Sequence, residues 1–413
     1  MRAKMKYHFR FARLMQTTLH RPRFPRSLAA TLAQRASQYP VVTLTGPRQS
    51  GKTTLTRQAF PDHAYLSLER PDHREFALRD PRGFIASLPR AGVLLDEVQR
   101  VPSLLSWLQG EVDDDPQPGR FILTGSHAFD LMASVAQSLA GRTALLNLLP
   151  LSLSELRAGG VQASTDELIF CGGYPRIHAD RLDPHTALGD YFATYVERDL
   201  RELIELRNLE DFRRFMRLVA GRVGQLVNMQ SLSSDVGVSA QTIKAWLALL
   251  EASFIVRRLQ PWSARLGKRL VKAPKLYFCD TGLAACLLGI TEARQVASHP
   301  LRGLLFENLV VMEFVKHALH QGQRVGLNFY RDSSGLETDL VVEQGMAPGR
   351  LGLVEIKSSL TLHGDQLRGL HRTCELLGQR VQRRMLVKDG DEHLVREGVE
   401  VVGLHAQSNG RSA

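Results

Sequence analysis

The sequence predicts a multidomain α/β protein with a parallel-sheet core near its N-terminus. Three observations carry this expectation. First, Gly46-Pro47-Arg48-Gln49-Ser50-Gly51-Lys52-Thr53 fits G-x-x-x-x-G-K-[ST] between an apolar run, Val41 to Thr45, and a helical pattern from Lys52 to Phe60. Second, strand and helix patterns alternate from Leu28 to Pro150 and again from about Leu276 to Leu404. Third, the stretch between them is mainly helical by periodicity and becomes strongly basic.

The 413 residues suffice for about three domains with sizeable cores. The net charge of +11 suits acidic polymers, nucleic acid above all, although it also serves plain solubility. Cys171, Cys279, Cys286 and Cys374 are scattered without zinc spacing, so reduced thiols in a cytoplasmic protein are expected. No run of 18 apolar residues occurs, which argues against a membrane span. The first 26 residues carry eight Lys/Arg, and no acid appears before Asp62. With no apolar segment of a signal peptide, residues 1–27 read as a disordered basic arm or as an extension upstream of a shorter true start.

The expected core spans residues 28–150. In its phosphate-binding loop, Gly46, Pro47, Arg48, Gln49, Ser50, Gly51, Lys52, Thr53 and Thr54 would wrap a triphosphate with backbone N–H groups and a helix start. Lys52 would reach the β- and γ-phosphates, and the Thr53 hydroxyl would hold Mg²⁺. Ala64 to Leu68 is a second strand. Gly92-Val93-Leu94-Leu95-Asp96-Glu97 is an apolar strand ending in two carboxylates, where ligands bind in open α/β sheets. Asp96 would complete the Mg²⁺ shell and Glu97 would polarise the attacking water. Phe121 to Ser126 is another buried strand; Ser126 would sense the γ-phosphate, cap the next helix, or do both. Arg142 is either a surface arginine or a finger reaching a neighbouring subunit's nucleotide.

These stretches, with Thr124-Gly125-Ser126 and Gly141-Arg142, resemble the AAA+ ATPase core. More narrowly, Gly172-Gly173-Tyr174-Pro175 and Tyr195-Val196-Glu197-Arg198-Asp199-Leu200 resemble prokaryotic ATPases known as ATP-binding proteins with a C-terminal domain of unknown function. The resemblance runs from about Leu28 to Val402. It implies ATP hydrolysis with Mg²⁺, a helical lid at residues 151–208, and a second arginine sensor, for which Arg176 is nominated. If Arg142 is a finger, a homo-oligomer follows.

Residues 209–275 read as a winged helix-turn-helix. Asp211 to Gly224 is a basic amphipathic helix, Leu232 to Val236 a short one, and Ser239 caps Ala240 to Glu251 after a turn at Gly237. Ile243, Leu247 and Leu250 would pack inward while Gln241, Thr242 and Lys244 face out. Phe254 to Leu259 would open the wing. No acid lies between Glu251 and Asp280, where Arg257, Arg258, Arg265, Lys268, Arg269, Lys272 and Lys275 fall. That charge suits DNA phosphates better than base edges, and a purely structural winged helix remains the alternative.

Residues 276–404 resemble the restriction-endonuclease-like fold, ahead of a polar tail at 405–413. The carrying residues are Glu307 on a buried helix Leu304 to Ala318, Asp339 on a strand Tyr330 to Val342, and Glu355-x-Lys357 on a strand Leu351 to Ser358. Three converging carboxylates would suit Mg²⁺ or Mn²⁺, with Lys357 orienting the water. Alternatively Lys357 pairs with Glu307 or Glu355 and the domain only binds. A rival reading of the whole chain is an ATP-driven protein switch, of the signalling or toxin–antitoxin type, whose C-terminal domains bind proteins.

Overall fold

The structure is a computed structural model that describes residues 24–126, 135, 137–196, 209–262, 271–323, 325–343 and 350–406. Most of the basic arm, the stretch Glu197 to Leu200, the wing residues Arg265, Lys268 and Arg269, and the end of the tail lie outside the described residues. Residues 24–27 depart from the expected disorder. Phe24 lies edge-on to His178, and Arg26 is buried in an ion pair with Glu155.

Five parallel strands form the core sheet in the order β2-β3-β4-β1-β5. They are β1 Val41–Thr45, β2 Ala64–Ser67, β3 Val93–Asp96, β4 Phe121–Gly125 and β5 Thr143–Asn147. Along β1, β3 and β4 every residue is buried, which explains their unbroken apolar runs: helices cover both faces. Val41, Leu95, Phe121 and Leu123 face the helix Leu104–Asp114. Val42, Leu44 and Ile122 face the helices Leu28–Ala36 and Lys52–Ala59. The edge strand β5 was not anticipated, because it buries only alternate residues and leaves Leu145 open.

Helices Leu153–Ala158, Thr165–Cys171, Pro175–Ala179 and Pro184–Tyr191 follow the core. Ser152 and Ser164 begin the first two through reciprocal capping boxes with Glu155 and Glu167. Next come the helices Leu209–Ala220, Met229–Val236 and Ala240–Ala252, then the antiparallel strands β6 Val256–Pro261 and β7 Lys275–Phe278. Ile243, Leu247 and Leu250 are buried as expected, and Trp246 joins them. Beyond β7 the helix Arg302–His320 precedes β8 Leu327–Arg331, β9 Glu337–Glu343 and β10 Leu351–Lys357. After these lie β11 Val381–Lys388, β12 His393–Arg396 and β13 Val399–Gly403.

Two expectations fail here for physical reasons. The strand expected from Tyr330 to Val342 is a hairpin, β8 and β9, because Asp332 folds the chain back. Its carboxylate accepts hydrogen bonds from the Ser334 and Leu336 backbone at 2.9 and 3.1 Å. The domain boundary expected after Lys275 cuts through a continuous sheet, ordered β12-β13-β11-β10-β9-β8-β6-β7. One apolar cluster likewise runs from Leu151 in the lid through Phe212 and Trp246 to Val354.

The stretch Gly172 to Pro175 acquires a role in this architecture. A Cβ on Gly173 would stand 2.4 Å from the Leu151 carbonyl oxygen, and one on Gly172 (φ 64°) 2.2 Å from Asp280 Oδ1. The two glycines thus let three backbone segments meet. Leu151 N–H donates to the Gly173 carbonyl at 2.7 Å, and Gly173 N–H donates to Asp280 Oδ2 at 2.7 Å. Asp280 also accepts from Leu283 N–H at 3.0 Å, capping the helix Thr281–Leu287. Asp280→Ala strands two buried donors, at about 1–3 kcal/mol each. The melting temperature of the full chain is expected to fall clearly for Asp280→Ala and less for Asp280→Asn. Equal melting of wild type and Asp280→Ala would remove this joint from the account.

Candidate active site

The phosphate loop leaves the C-terminal end of β1. Gly46 passes so close to Leu148 that a Cβ would lie 2.1 Å from its carbonyl oxygen. Gly51, at φ 94°, caps the helix that follows. Within the curl, Lys52 Nζ donates to the carbonyls of Gly46 and Pro47, both at 2.9 Å. Burial lowers the Lys52 pKa to about 8 against the opposing pull of Glu97 and Asp96. The ammonium therefore waits at the centre of a backbone cradle.

Asp96 closes the other side. Thr53 Oγ1 donates to Asp96 Oδ2 at 3.1 Å, Tyr65 donates to the same oxygen at 2.7 Å, and Thr124 donates to Oδ1. A hydroxyl and a carboxylate side by side form an all-oxygen set that suits Mg²⁺, whose remaining positions go to water and phosphate. Glu97 has φ 58°, which turns it off the strand line. Its Oε2 accepts from Ser126 Oγ at 3.0 Å and from Gln99. Gln99 Nε2 also donates to Ser126 Oγ at 3.2 Å. Ser126 is thus brought to Glu97; the helix it was expected to cap begins outside the described residues.

Lys52, Thr53, Thr54 and Glu97 line a cavity of about 760 Å³, within the range of ligand sites. Its far wall comes from the lid, including Pro175, Arg176 and Tyr195. Arg176 reaches the wall, exposed and 3.3 Å from Asp180. Phe24 and Arg26 line it too, and sequence reasoning missed them. Arg26 donates to Ser50 O at 2.6 Å and to Leu149 O at 2.7 Å, and no local pattern in a basic arm singles it out. Arg142 lies elsewhere, half-buried and paired with Asp113 at 2.5 and 2.8 Å. It precedes β5 and hydrogen-bonds through its carbonyl to Val41, at the start of β1. The phosphate loop follows the opposite end of that strand.

Of the residues nominated for DNA, Gln241 and Lys244 are exposed at the start of their helix and Thr242 is half-buried. Arg258 is tied to Glu251 at 2.6 Å, and Arg257 is half-buried.

Glu307, Asp339 and Glu355 do converge, and the first two, with Glu337, surround an ammonium. Lys275 Nζ lies 2.9 Å from Glu307, 2.5 Å from Glu337 and 3.7 Å from Asp339. Tyr277 donates to Glu307 at 2.6 Å, and Asp339 Oδ2 accepts from Ile356 N–H at 2.8 Å. Lys357 pairs with Glu355 at 2.6 Å, the structural alternative raised for it. Among the described residues no group of three or more His, Cys, Asp or Glu is arranged to hold a metal ion. Lys275, assigned to phosphate contact from sequence, supplies positive charge beside Glu307, Glu337 and Asp339.

One comparison with known proteins bears on the class of the core, a match to the AAA domain. The AAA domain family matches residues 38–157, and domains of unknown function match 162–294 (DUF8612) and 302–406 (DUF4143). Uncharacterized protein Rv2008c of Mycobacterium tuberculosis is 32% identical over 328 residues, covering 78% of this chain and 72% of that one. An uncharacterized protein of Haemophilus influenzae is 26% identical over 307 residues, covering 66% and 74%. Among solved structures, the Walker-type ATPase paby2304 of Pyrococcus abyssi aligns with 64% of this chain and 96% of that one, at 15% identity and a TM-score of 0.43. The chain belongs to the family of proteins that includes Rv2008c, and its residues 38–157 match the AAA domain. Among the described residues no helix is long and apolar enough to cross a membrane.

The acidic cluster gives a pH test. Burial first, then Asp339, raises Glu355 from 4.5 to about 8. The folded chain thus holds a proton that the unfolded chain releases. Stability from this group is complete below about 4.5 and is lost as pH rises through about 8. The raised Lys275 pKa acts only above 10.5, outside that window. Glu355→Gln is expected to flatten the fall in melting temperature between about pH 5 and about 8. Curves that stay parallel to wild type across that range would contradict the assignment.

Proposed function

We propose that this chain binds and hydrolyses ATP with Mg²⁺, in an assembly whose subunits complete one another's sites. The observation that carries the reading is the meeting of Lys52, Thr53 and Glu97 at one cavity beyond the C-terminal ends of β1 and β3, with Asp96 hydrogen-bonded to Thr53 behind its wall. Thr53 and Asp96 would hold the metal, which neutralises charge on the phosphate oxygens when bound. Lys52 exchanges the carbonyls of Gly46 and Pro47 for β- and γ-phosphate oxygens. Glu97, aimed by Ser126 and Gln99, orients a water and accepts its proton as oxygen adds to the γ-phosphorus and the bond to ADP breaks. Arg176 supports the reading as a lid cation at the cavity wall. Arg142 sits one strand length away from its own loop, about 13 Å for four residue steps, so it would serve a neighbouring subunit's nucleotide.

Turnover and ATP binding separate these roles. Lys52→Ala is expected to lose binding, and Arg142→Ala to bind ATP yet turn over at least about tenfold more slowly. Mixing the two variants should restore turnover, because each contributes what the other lacks. Wild-type binding by Lys52→Ala would end the ATP reading. Failure of the mixture to recover would end the shared site.

A second proposal gives the assembly DNA as a partner, through the helix Ala240–Ala252 and the basic strands after it, arranged as a winged helix. The support is exposed Gln241 and Lys244 at a helix start beside an acid-free stretch. With Arg258 tied to Glu251, contact rests on few phosphates. The binding constant is expected to fall with salt at a slope of about −0.9 per phosphate contacted, and Lys244→Ala to lower the slope by about one. No binding at low salt would favour the protein-switch alternative. DNA cleavage is not proposed, since Lys275 fills the acidic cluster.

A further inference from the structure

We propose that the Arg48 side chain contacts the terminal phosphate of the nucleotide from within its own chain. This deepens the ATP reading and rests on it. The AAA-type loop provides backbone N–H groups and one lysine; here the loop carries a second cation, and its placement gives it a task.

Lys52 Nζ is held by the carbonyls of Gly46 and Pro47. Arg48 is the next residue along that curve, so its side chain leaves the rim of the phosphate cradle. It lines the same cavity as Lys52, Thr53 and Glu97. The two cations feel each other, since Arg48 is among the groups that lower the Lys52 pKa. Glu97 adds negative charge at the wall where the γ-phosphate would arrive. A second cation there offsets the repulsion between carboxylate and phosphate.

Two of the contacts that hold Arg48 are of an exchangeable kind. Its guanidinium carbon lies 5.5 Å from the centre of the Tyr195 ring, and Nη1 lies 4.0 Å from the exposed Glu69. Cation–π contact and a long surface ion pair are weak beside paired charge-assisted bonds to a phosphate. A terminal phosphate would compete with these two contacts for the guanidinium.

Tyr195 is no arbitrary perch. It lies in the π-helical turn Phe192–Val196, an irregularity often found at functional sites. Its ring is 5.5 Å from Tyr191, which is 4.7 Å from Tyr174. Tyr174 follows Gly173, whose N–H is held by Asp280. An aromatic row thus leads from Arg48 to the joint between lid and C-terminal sheet.

The test compares affinities of the full chain for ADP and for a non-hydrolysable ATP analogue, both with Mg²⁺, by titration calorimetry. Arg48→Ala is expected to lose at least about tenfold for the analogue while ADP binding stays within about threefold. Arg48→Lys should recover part of the loss, because a point charge lacks the planar fork. Tyr195→Ala should raise the preference for the analogue over ADP, since the resting contact is gone. Equal losses for both nucleotides in Arg48→Ala, or no loss, would overturn the proposal. The ATP reading fails separately if wild type binds neither nucleotide or if Lys52→Ala binds both as wild type does.

Discussion

The backbone of Leu148 to Leu151 is the constraint from which the rest of the molecule follows. This segment leaves β5 beside the phosphate loop and is buried, so its polar groups must find partners. Leu148 N–H donates to Thr45 O at 2.8 Å, and the Leu148 carbonyl leaves room only for glycine at position 46. The Leu149 carbonyl accepts from Arg26 at 2.7 Å, and the Leu151 carbonyl accepts from Lys316 at 2.9 Å. Cations from the first described residues and from the long C-terminal helix thus close on four consecutive residues. The phosphate loop, the lid and the C-terminal sheet share one seam, and moving any of them strands a buried carbonyl or N–H.

The acidic cluster shows how desolvation redirects a site whose residues look like a metal set. Glu307, Glu337, Asp339 and Glu355 crowd together with Lys275 and Lys357. Four carboxylates against two ammonium groups and Arg331, which lies 3.1 Å from Glu337, leave an excess of negative charge in a poorly hydrated place. Protons relieve it: Glu307 rises to about 7 and Glu355 to about 8, burial being the main cause in each. The same crowding raises Lys275, because several acids outweigh its own burial penalty. Acids and lysines shifting upward together is what an under-neutralised cluster requires.

What could be read from the sequence follows from how local each signal is. The phosphate loop is contiguous and its strand–turn–helix setting recurs, so Lys52, Thr53, Asp96 and Glu97 were legible. The convergence of Glu307, Asp339 and Glu355 was legible too, since strand alternation fixes which side chains share a face. Lys275 was not, because it comes from β7, which reaches the cluster only through the joined sheet β8-β6-β7. Arg26 was hidden for a related reason: its partners are 24 and 129 residues away. The Tyr330 to Val342 strand failed on turn chemistry, with Asp332 acting through its side chain. The tie of Gly172-Gly173 to Asp280 joins residues 107 positions apart, and no periodicity announces it.

Glu155 carries the integration one step further. Its capping-box bond to Ser152 N–H, at 2.9 Å, starts the lid. The same carboxylate takes Arg26 at 3.1 Å and Ser27 N–H at 2.7 Å, and His320 lies 3.6 Å away. Burial alone would raise its pKa, yet Arg26, His320 and the two backbone donors together hold it below the ordinary value. Nearby, Arg302 ties Asp166 of the lid to Asp389 of the C-terminal sheet at 2.8 and 2.7 Å. An apolar interface tolerates sliding, whereas fixed donors matched to fixed acceptors do not. Because Arg26 also holds Ser50 of the phosphate loop, the carboxylate that begins the lid is two hydrogen bonds from the nucleotide cradle. A lid that moves with nucleotide state must therefore carry the helix Arg302–His320 with it or break the Arg302–Asp166 ion pair.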